Sequence, residues 1–513
     1  MKKILPASLF AFFAGCAVAS AASSCDQLAR LKLPHVEINS ATFYAAGAFT
    51  PPANPNGQGG GQNQAAQLAA YRALSSFCRV QVTSKPTSDS DIKIEIWLPA
   101  GGWNGRLAVY GNGGFGSNIG TNNLAAAVAK GYVGTGNNAG HDTNDGAFAV
   151  GHPEKFVDWG YRAVHENVVI AKAVAAAFYG SPVKYSYWNS CSTGGRQGWI
   201  AAEYYPNDFS GLAIGDAANP MSRLQASTIW ENLQVNATPE SFVPAAKYAM
   251  LHKAVVDQCD AVDGLKDGLI DDPRKCNFDL NTLLCKNGDA ADCLTAPQIA
   301  ALKKVSEGPR LATGELVYPG FPLGDPSLPG PILGKKPEQV SIDTIRGLFQ
   351  DAAWDYHTLD VDKDIPKTDK LAAHLIDAVD YAKLQILFNH GGKILYYHGW
   401  NDGSIAPQSA INYYEAAAKA NGGVAKTYNE LRLFMIPGGN HCGGGEGPSA
   451  FDKLDVISDW VERGKAPDEI VASHVAQDGH VDRTRPLCPY PQVAKYKGSG
   501  SIDEAQNFAC AKP

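Results

Sequence analysis

Residues 184–198 have the sequence KYSYWNSCSTGGRQG, and this stretch decides the fold. Aromatic and small polar residues alternate in its first half, which predicts a short buried strand. Its second half is rich in glycine and runs into a helix-like segment at residues 199–203. Ser192 lies between the two, on a tight turn in the pattern Ser190-x-Ser192-x-Gly194. A serine on such a strand-to-helix turn is typical of a nucleophile elbow, which exposes the hydroxyl above the edge of a sheet.

The first position of the elbow motif is usually glycine, and here it is Ser190. The turn requires a small residue at this position, and serine is only slightly larger than glycine. A serine- and glycine-rich turn without any chemistry would have the same pattern. The motif alone therefore leaves both interpretations open.

An acid and a histidine follow the last two strands of the predicted sheet. Asp402 comes after the apolar strand at 393–400, and His441 follows the strand at 431–437. Side chains at the carboxyl ends of parallel strands meet at one edge of the sheet. A serine, an acid and a histidine in this chain order are typical of the α/β-hydrolase fold. We therefore predict that Ser192 is the nucleophile, His441 its general base and Asp402 the carboxylate that orients the base.

Two other histidines compete for the role of the base. His398 lies within a predicted strand, which favours a buried supporting group, and His141 could line a pocket. We prefer His441 because Cys442 follows it directly, while Cys191 directly precedes the nucleophile. A disulfide between these two cysteines would join the neighbour of the nucleophile to the neighbour of the base.

A glycine-rich loop at residues 111–116 follows the predicted strand at 106–110. α/β-Hydrolases have an oxyanion-hole N–H in this position, and glycine lets the backbone approach the substrate closely. We predict that the backbone N–H groups of Thr193 and Gly114 form the oxyanion hole. An ordinary loop is the plainer interpretation, and a phosphate-binding loop is disfavoured because no G-K-[ST] sequence follows.

Strands and helices alternate along the chain before the serine turn. Strands are predicted at 92–98 and 131–135, and helices at 124–130 and 161–179. This alternation predicts an α/β fold, in which a mostly parallel sheet has helices on both faces.

The alternation stops between residues 219 and 382, where the helical segments are short and one stretch is rich in proline and glycine. We therefore predict an inserted lid domain at 219–382. The α/β-hydrolase catalytic domain would then consist of residues 22–218 and 383–513.

The first 21 residues predict a secretory signal peptide. Two lysines precede an apolar run that is too short to span a membrane, and residues 19–21, Ala-Ser-Ala, form a cleavage site. Lipid attachment at Cys16 is an alternative, disfavoured by Phe13 at the first position of the lipobox. We expect a secreted or periplasmic protein that has no membrane attachment once the signal is removed.

The overall composition also restricts the function. The net charge is −7, the pI is about 6.0, and the chain has no basic tract, which disfavours nucleic acid and anionic membranes as partners. Glycine (53) and proline (31) are frequent and charged residues make up only 19%, as in a loop-rich secreted enzyme.

Ten of the 11 cysteines lie beyond the predicted signal, an even number that is typical of disulfides formed in an oxidising compartment. Connectivity does not follow from sequence alone. Proximity favours the pairs Cys259–Cys276, Cys285–Cys293, Cys488–Cys510 and Cys25–Cys78, which would leave Cys191 and Cys442 for each other. The absence of any C-x-x-C sequence disfavours a zinc site.

An acidic turn opens the predicted lid. Asp260, Asp263 and Asp267 alternate with glycines that bend the backbone, so their oxygens could surround a hard cation such as calcium. The spacing is not that of an EF-hand, and an acidic, solvated turn without a metal is equally compatible with it.

The chain resembles the tannase and feruloyl esterase family, which includes mono-hydroxyethyl terephthalate hydrolase. The resemblance covers nearly the whole chain after the signal. It rests on residues 103–106 (WNGR), 191–196 (CSTGGR), the turn at 260–269, 398–399 (HG), 440–442 (NHC) and 483–491 (RTRPLCPYP).

The resemblance implies the Ser192, Asp402 and His441 triad, the five disulfides named above and a structural calcium ion in the lid. The implied calcium ligands are the side chains of Asp260, Asp263 and Asp267 and the backbone carbonyls of Leu265 and Leu269. This family usually has glycine at the position of Ser190.

The predicted function is that of a secreted serine esterase for aromatic carboxylic esters. The favoured substrates are feruloyl or hydroxycinnamoyl esters of plant cell-wall polysaccharide. Phe349, Trp354 and Tyr356 in the lid could form a flat pocket for the acyl group, or belong to the lid core. The alternatives are a tannase for galloyl esters, a terephthalate-ester hydrolase, a calcium-dependent phospholipase and a calcium-stabilised carbohydrate-binding module.

Overall fold

The computed structural model describes residues 24–51, 64–328, 330 and 332–512. The predicted signal peptide at 1–21, with Cys16, lies outside these residues. Within the described part of the chain, no helix has the length and apolar character needed to cross a membrane.

The centre of the molecule is a nine-stranded sheet with the strand order β1-β2-β3-β5-β4-β6-β7-β8-β9. Strands β1, β2, β3 and β5 pair antiparallel with one another, while β5-β4-β6-β7-β8-β9 is parallel throughout. The strands are β1 Val36–Tyr44, β2 Phe77–Ser84, β3 Ile92–Pro99, β4 Arg106–Val109, β5 Val133–Asn137, β6 Tyr185–Cys191, β7 Gly211–Gly215, β8 Lys393–Asn401 and β9 Leu431–Asn440. The mostly parallel α/β-hydrolase fold predicted from the sequence is confirmed.

Helices accompany the parallel strands and fill the connections between them. They are α1 Gln64–Arg72, α2 Thr121–Ala129, α3 Pro153–Val157, α4 Ala163–Tyr179, α5 Thr193–Tyr204, α6 Met221–Val235, α7 Ala245–Cys259, α8 Ala296–Glu307, α9 Gln339–Phe349, α10 Val361–Ala372, α11 Leu384–Asn389, α12 Gln408–Ala420, α13 Val424–Thr427 and α14 Lys453–Arg463. Two hairpins form the tail, β10 Ile470–Val475 with β11 Val481–Leu487 and β12 Val493–Tyr496 with β13 Phe508–Ala511.

The parallel strands are buried on both faces, as expected when helices cover both sides of a sheet. All five residues of β7 are buried, and Tyr187 and Trp188 of β6 are fully inaccessible although they point to opposite faces. This is why β6 carries large apolar side chains next to each other before it reaches the polar turn at Ser192.

The segment between β7 and β8 is long and, among its described residues, contributes no strand to the central sheet. Helices α6 to α11 fall in this segment, and α6 to α10 lie within the predicted insertion at 219–382. Its apolar residues form one buried cluster with residues of the segments that connect the strands, and Phe115 and Trp159 belong to this cluster together with Ile345 and Leu348 of α9. Its treatment as a separate lid domain at 219–382 stays a prediction.

Five disulfides are present, and their pairs are those favoured by the sequence. They are Cys25–Cys78, Cys191–Cys442, Cys259–Cys276, Cys285–Cys293 and Cys488–Cys510. The Cys191–Cys442 bridge spans 251 residues, and the other four span between 8 and 53.

Candidate active site

Ser192 lies between the end of β6 and the start of α5 with φ +65° and ψ −128°. A positive φ is strained for a residue with a side chain, so the surrounding structure must hold it in place. The departure from the usual motif at Ser190 is accommodated by Gly194. A Cβ at Gly194 would collide with the hydroxyl of Ser190, and glycine leaves the space that this hydroxyl occupies.

The three residues predicted as a triad form one continuous chain of hydrogen bonds. His441 Nε2 lies 2.9 Å from Ser192 Oγ, and His441 Nδ1 lies 2.8 Å from Asp402 Oδ2. A carboxylate only accepts hydrogen bonds, so the Nδ1–H of the imidazole donates to Asp402. In the neutral ring, Nε2 is then the acceptor that faces the serine hydroxyl.

Asp402 is fully buried and accepts hydrogen bonds on both oxygens. The backbone N–H groups of Ser404 and Ile405 donate to Oδ1 at 2.9 and 3.0 Å. Burial alone would raise the pKa of Asp402, but the neighbouring His441 and His398 hold it well below its usual range. Burial also lowers the pKa of His441, and the charge and hydrogen bond of Asp402 outweigh this and raise it to about 9.

His398 supports the acid and does not contact Ser192. Its Nε2 lies 3.0 Å from the carbonyl oxygen of Ile405, 3.2 Å from Asp402 Oδ2 and 3.9 Å from Asp216 Oδ1. All three neighbours are acceptors, so Nε2 must carry the proton. Its fully buried position agrees with the sequence interpretation of His398 as a supporting group.

Asp216 was missed by the sequence analysis and links three parts of the site. It follows β7 at φ +37°, its Oδ1 accepts from the N–H of Gly399 at 2.8 Å, and its Oδ2 accepts from the N–H of Cys442 at 3.2 Å. It therefore holds the residue that follows His441. Its place at the carboxyl end of a parallel strand is the signal by which it could have been found.

The glycine-rich loop after β4 lies against the helix that begins at the elbow. The N–H of Asn112 donates to Gln197 Oε1 at 3.1 Å, and Gln197 Nε2 donates back to Asn112 Oδ1 at 3.3 Å. Gly114 has φ +51°, a conformation that favours glycine. Thr193 is the first residue of α5, where helical N–H groups have no partner within the helix. The two predicted oxyanion donors thus belong to segments that are in contact.

His141 is buried with its ring stacked on Phe148, the two ring centroids 3.8 Å apart. Burial lowers the pKa of His141 to about 4, so this histidine is neutral at physiological pH. It has no hydrogen bond to Asp402 or to Ser192, which separates it from the base.

The lid aromatics predicted as a candidate acyl pocket lie in the hydrophobic cluster of the insertion. Phe349 and Trp354 pack edge to face with their ring centroids 5.9 Å apart, and Tyr356 is also packed against that cluster. Their packing agrees with the alternative that they belong to the lid core.

The acidic turn at 260–269 is compact and partly buried. Asp260 Oδ1 accepts from the N–H groups of Asp267 and Gly268, both at 3.0 Å. Asp267 Oδ2 accepts from Arg485 of β11 at 2.7 Å, and this pair is almost inaccessible to water. The turn is therefore tied to the tail of the chain.

Arg485 pairs with Asp267, and nearby positive charge only partly offsets two other acids, Asp263 in the turn and Asp271 just beyond it. Burial and then the charge of Asp263 raise the pKa of Asp271, the next buried acid along the chain, to about 7. Burial likewise raises the pKa of Asp263, and the charge of Asp267 adds to this. Carboxylate oxygens are the ligands that a hard dication prefers, so the donor chemistry of this turn suits calcium, although the side-chain oxygens of Asp260, Asp263 and Asp267 do not all lie within 4.8 Å of one another.

Comparison with known proteins gives one consistent result. The family model described as tannase and feruloyl esterase matches residues 78–511. An uncharacterised esterase of Xanthomonas campestris pv. campestris is 34% identical, over 99% of this chain and 94% of the relative. A probable feruloyl esterase B-2 of Aspergillus terreus is 30% identical, over 94% and 93% of the two chains. The crystal structure of feruloyl esterase B from Aspergillus oryzae superposes with a TM-score of 0.87 at 28% identity, covering 95% of this chain and 99% of that one.

Proposed function

We propose that this chain, which belongs to the tannase and feruloyl esterase family, hydrolyses feruloyl and related hydroxycinnamoyl esters of plant cell walls. Membership of this family makes the chain a carboxylic ester hydrolase, so the prediction of an enzyme is confirmed and the carbohydrate-binding module is set aside as its primary role. The acyl group, the catalytic residues and the secretion of the enzyme are the parts that we propose.

The observation that carries the mechanism is the hydrogen-bonded chain from Ser192 through His441 to Asp402. Ser192 Oγ attacks the ester carbonyl carbon while its proton passes to Nε2 of His441. The N–H groups of Thr193 and Gly114 stabilise the oxyanion that forms. His441 then gives the proton to the departing alcohol oxygen, and the acyl group stays on Ser192. Water repeats the attack with His441 as the base, which frees the carboxylic acid and restores the serine hydroxyl.

Aromatic side chains next to the glycine-rich loop support a flat acyl group. Phe115 follows Gly114 directly and packs on Trp159 with ring centroids 4.5 Å apart and on Phe148 at 5.6 Å. Phe115 and Trp159 are buried, so Phe148, which is partly exposed, is the ring of the three that we propose meets the acyl group. Such rings favour an aromatic partner over a short aliphatic one.

The calcium ion proposed for the insertion would be held by the side chains of Asp260, Asp263 and Asp267 and the carbonyls of Leu265 and Leu269. It would neutralise their carboxylates and fix the turn from which the insertion starts. We also propose that the protein is secreted, since five disulfides favour an oxidising compartment.

A substrate panel with a matched inactive variant tests this function. Methyl ferulate and methyl caffeate should be hydrolysed with kcat/KM at least about tenfold above methyl butyrate. Ser192→Ala should lose about 10⁴-fold or more in kcat with an unchanged melting temperature. Preference for methyl gallate would reassign the enzyme to tannase action, and preference for methyl butyrate would make it a general carboxylesterase.

A further inference from the structure

A buried tryptophan contacts the glycine-rich loop, and the proposed reaction does not use it. Trp159 lies in the π-helical turn Asp158–Arg162, between α3 and α4, and is fully buried. Its indole Nε1–H donates to the carbonyl oxygen of Gly114 at 3.2 Å. The same ring packs on Phe115, with the two ring centroids 4.5 Å apart. Trp159 therefore holds both the carbonyl of the predicted oxyanion donor and the side chain that follows it.

Two hydrogen bonds fix the peptide planes on either side of the Gly114 Cα atom. The carbonyl oxygen of Gly113 accepts from the N–H of Gly116 at 2.7 Å. In a planar trans peptide the N–H points opposite to the carbonyl, so this bond directs the N–H of Gly114 away from Gly116. Trp159 fixes the next plane through the carbonyl of Gly114. Because glycine has the freest backbone of all residues, bonds to its neighbours are what keep this N–H in one direction.

A buried arginine joins Trp159 to the helix that begins at the nucleophile. Arg196 lies on α5, and its backbone N–H donates to the carbonyl oxygen of Ser192 at 3.1 Å. Its guanidinium carbon lies 4.4 Å from the centre of the Trp159 ring, and Nη2 donates to the carbonyl oxygen of Trp159 at 3.3 Å. Nη1 donates to the carbonyl oxygen of Gly160 at 2.9 Å. A guanidinium can stack on a ring and donate hydrogen bonds at the same time, so Arg196 holds both the ring and the backbone of Trp159.

We propose that Trp159 is a positioning residue for the oxyanion hole. It holds Gly114 in the conformation in which its N–H faces the developing oxyanion, and Arg196 keeps it in register with Ser192. The inference rests on the ester hydrolysis proposed above and on its Gly114 donor, and it does not depend on which acyl group is removed. An oxyanion donor acts more strongly on the transition state than on the bound ester. Loss of the indole N–H should therefore lower kcat and leave KM almost unchanged.

Trp159→Phe tests the proposal because phenylalanine keeps a ring beside Phe115 and lacks the N–H donor. Removing an oxyanion donor costs about 10²–10³-fold in kcat, so loosening one should cost about tenfold. We expect this loss for 4-nitrophenyl acetate, per active site counted by titration, with KM unchanged.

Trp103→Phe is the matched control. The Nε1–H of Trp103 also donates to a backbone carbonyl, that of Arg106, at 3.0 Å. Trp103 lies before β4, whereas the glycine-rich loop follows the same strand. This variant should therefore keep the kcat of the parent.

A pair of ketones distinguishes the oxyanion hole from general stability. When trifluoroacetophenone binds, Ser192 Oγ adds to its carbonyl carbon, the serine proton passes to His441, and the carbonyl oxygen becomes an oxyanion. Its inhibition constant should rise about tenfold in Trp159→Phe, in step with the loss of kcat. Acetophenone has nearly the same shape and stays a ketone, so its inhibition constant should not change.

If Trp159→Phe does not fold, benzothienylalanine at position 159, which keeps the bicyclic ring and lacks the N–H, provides the same test. An unchanged kcat, an equal loss of kcat in Trp103→Phe, or an equal rise in both inhibition constants would each overturn the proposal. A parent enzyme that hydrolyses 4-nitrophenyl acetate but not methyl ferulate would overturn only the acyl preference proposed above. A parent enzyme that hydrolyses no ester would overturn the proposed function and this inference together.

Discussion

At the scale of single residues, Asp402 connects the other groups of the site. Its two oxygens face the N–H groups of Ser404 and Ile405 and the ring nitrogens of His441 and His398. Burial alone would raise the pKa of Asp402, but His441 and His398 hold it well below the usual range, so Asp402 stays ionised across the working pH. Loss of activity in acid must then come from protonation of His441.

We expect kcat/KM to rise with pH up to about 9, the pKa of His441, because the protonated ring cannot accept the serine proton. Glu338, at the start of α9, adds to the negative charge that raises this pKa. Glu338→Gln should therefore move the acidic limb of the pH–rate profile to lower pH, with little change in its maximum. Glu307→Gln, an exposed acid on α8, is the control and should leave the profile in place. A limb that did not move in Glu338→Gln would contradict this account.

Asp216→Asn should lower kcat by roughly 10- to 100-fold while KM changes little. The Nδ2 group of the new amide is a donor and cannot accept from the N–H of Cys442. A buried N–H without a partner lowers the free energy of unfolding by about 1–3 kcal/mol. The turn that carries His441 would then lose its support. Asp343→Asn is a matched control, because Asp343 is also buried and accepts from the N–H of Gly146, away from the triad. Equal kcat losses in the two variants would make the effect one of general stability.

Sequence patterns found Ser192, Asp402 and His441 because each follows a recognisable strand. Asp216 was not found because its partners Gly399 and Cys442 lie 183 and 226 residues away, and no local pattern records such a contact. The one sequence signal for Asp216 is its place directly after β7, and that signal does not reveal which backbone groups its carboxylate holds.

At the scale of elements, the Cys191–Cys442 bridge joins the end of β6 to the loop after β9. Replacing both cysteines with alanine should lower kcat more than it raises KM, because the bridge flanks both the nucleophile and the base. In the chain-entropy model, a loop of this length also contributes roughly 5 kcal/mol to stability. Replacing Cys488 and Cys510 instead should lower the melting temperature with little effect on kcat. Both variants should be assayed below their melting temperatures. Turnover equal to that of the parent in the Cys191/Cys442 variant would refute this expectation.

The calcium ion proposed for the acidic turn should stabilise the fold. Chelation with EGTA is expected to lower the melting temperature by mass action, with activity lost later as the insertion loosens. Asp263→Asn should reproduce the lower melting temperature and respond less to the chelator, whereas Asp257→Asn, on the exposed side of α7, should behave as the parent does. Immediate loss of turnover at an unchanged melting temperature would instead indicate a catalytic ion.

The position of the insertion was predictable because the strand–helix alternation stops, and β7 ends at Gly215 while β8 starts at Lys393. Whether its aromatic residues face the substrate or the core was not predictable. Phe349 and Trp354 pack with the insertion itself, and sequence cannot distinguish an aromatic residue that faces a substrate from one that faces its own core.

At the scale of the whole molecule, the insertion shares one buried cluster with the segments that connect the strands, and Phe115 and Trp159 belong to it together with Ile345 and Leu348. We therefore expect a single calorimetric unfolding transition whose van't Hoff and calorimetric enthalpies agree. Addition of calcium should shift this transition without splitting it. Two separable transitions would mean that the insertion folds independently of the sheet.

In the proposed mechanism, the Cys191–Cys442 bridge also couples full activity to the order in which the chain is made. Its two sulfurs come from segments synthesised 251 residues apart, so the bridge cannot form until β9 has been made and an oxidant is present. A chain still in a reducing cytosol would carry its serine and histidine on two unlinked segments. Full esterase activity would then develop only after β9 has been made and the two sulfurs have been oxidised.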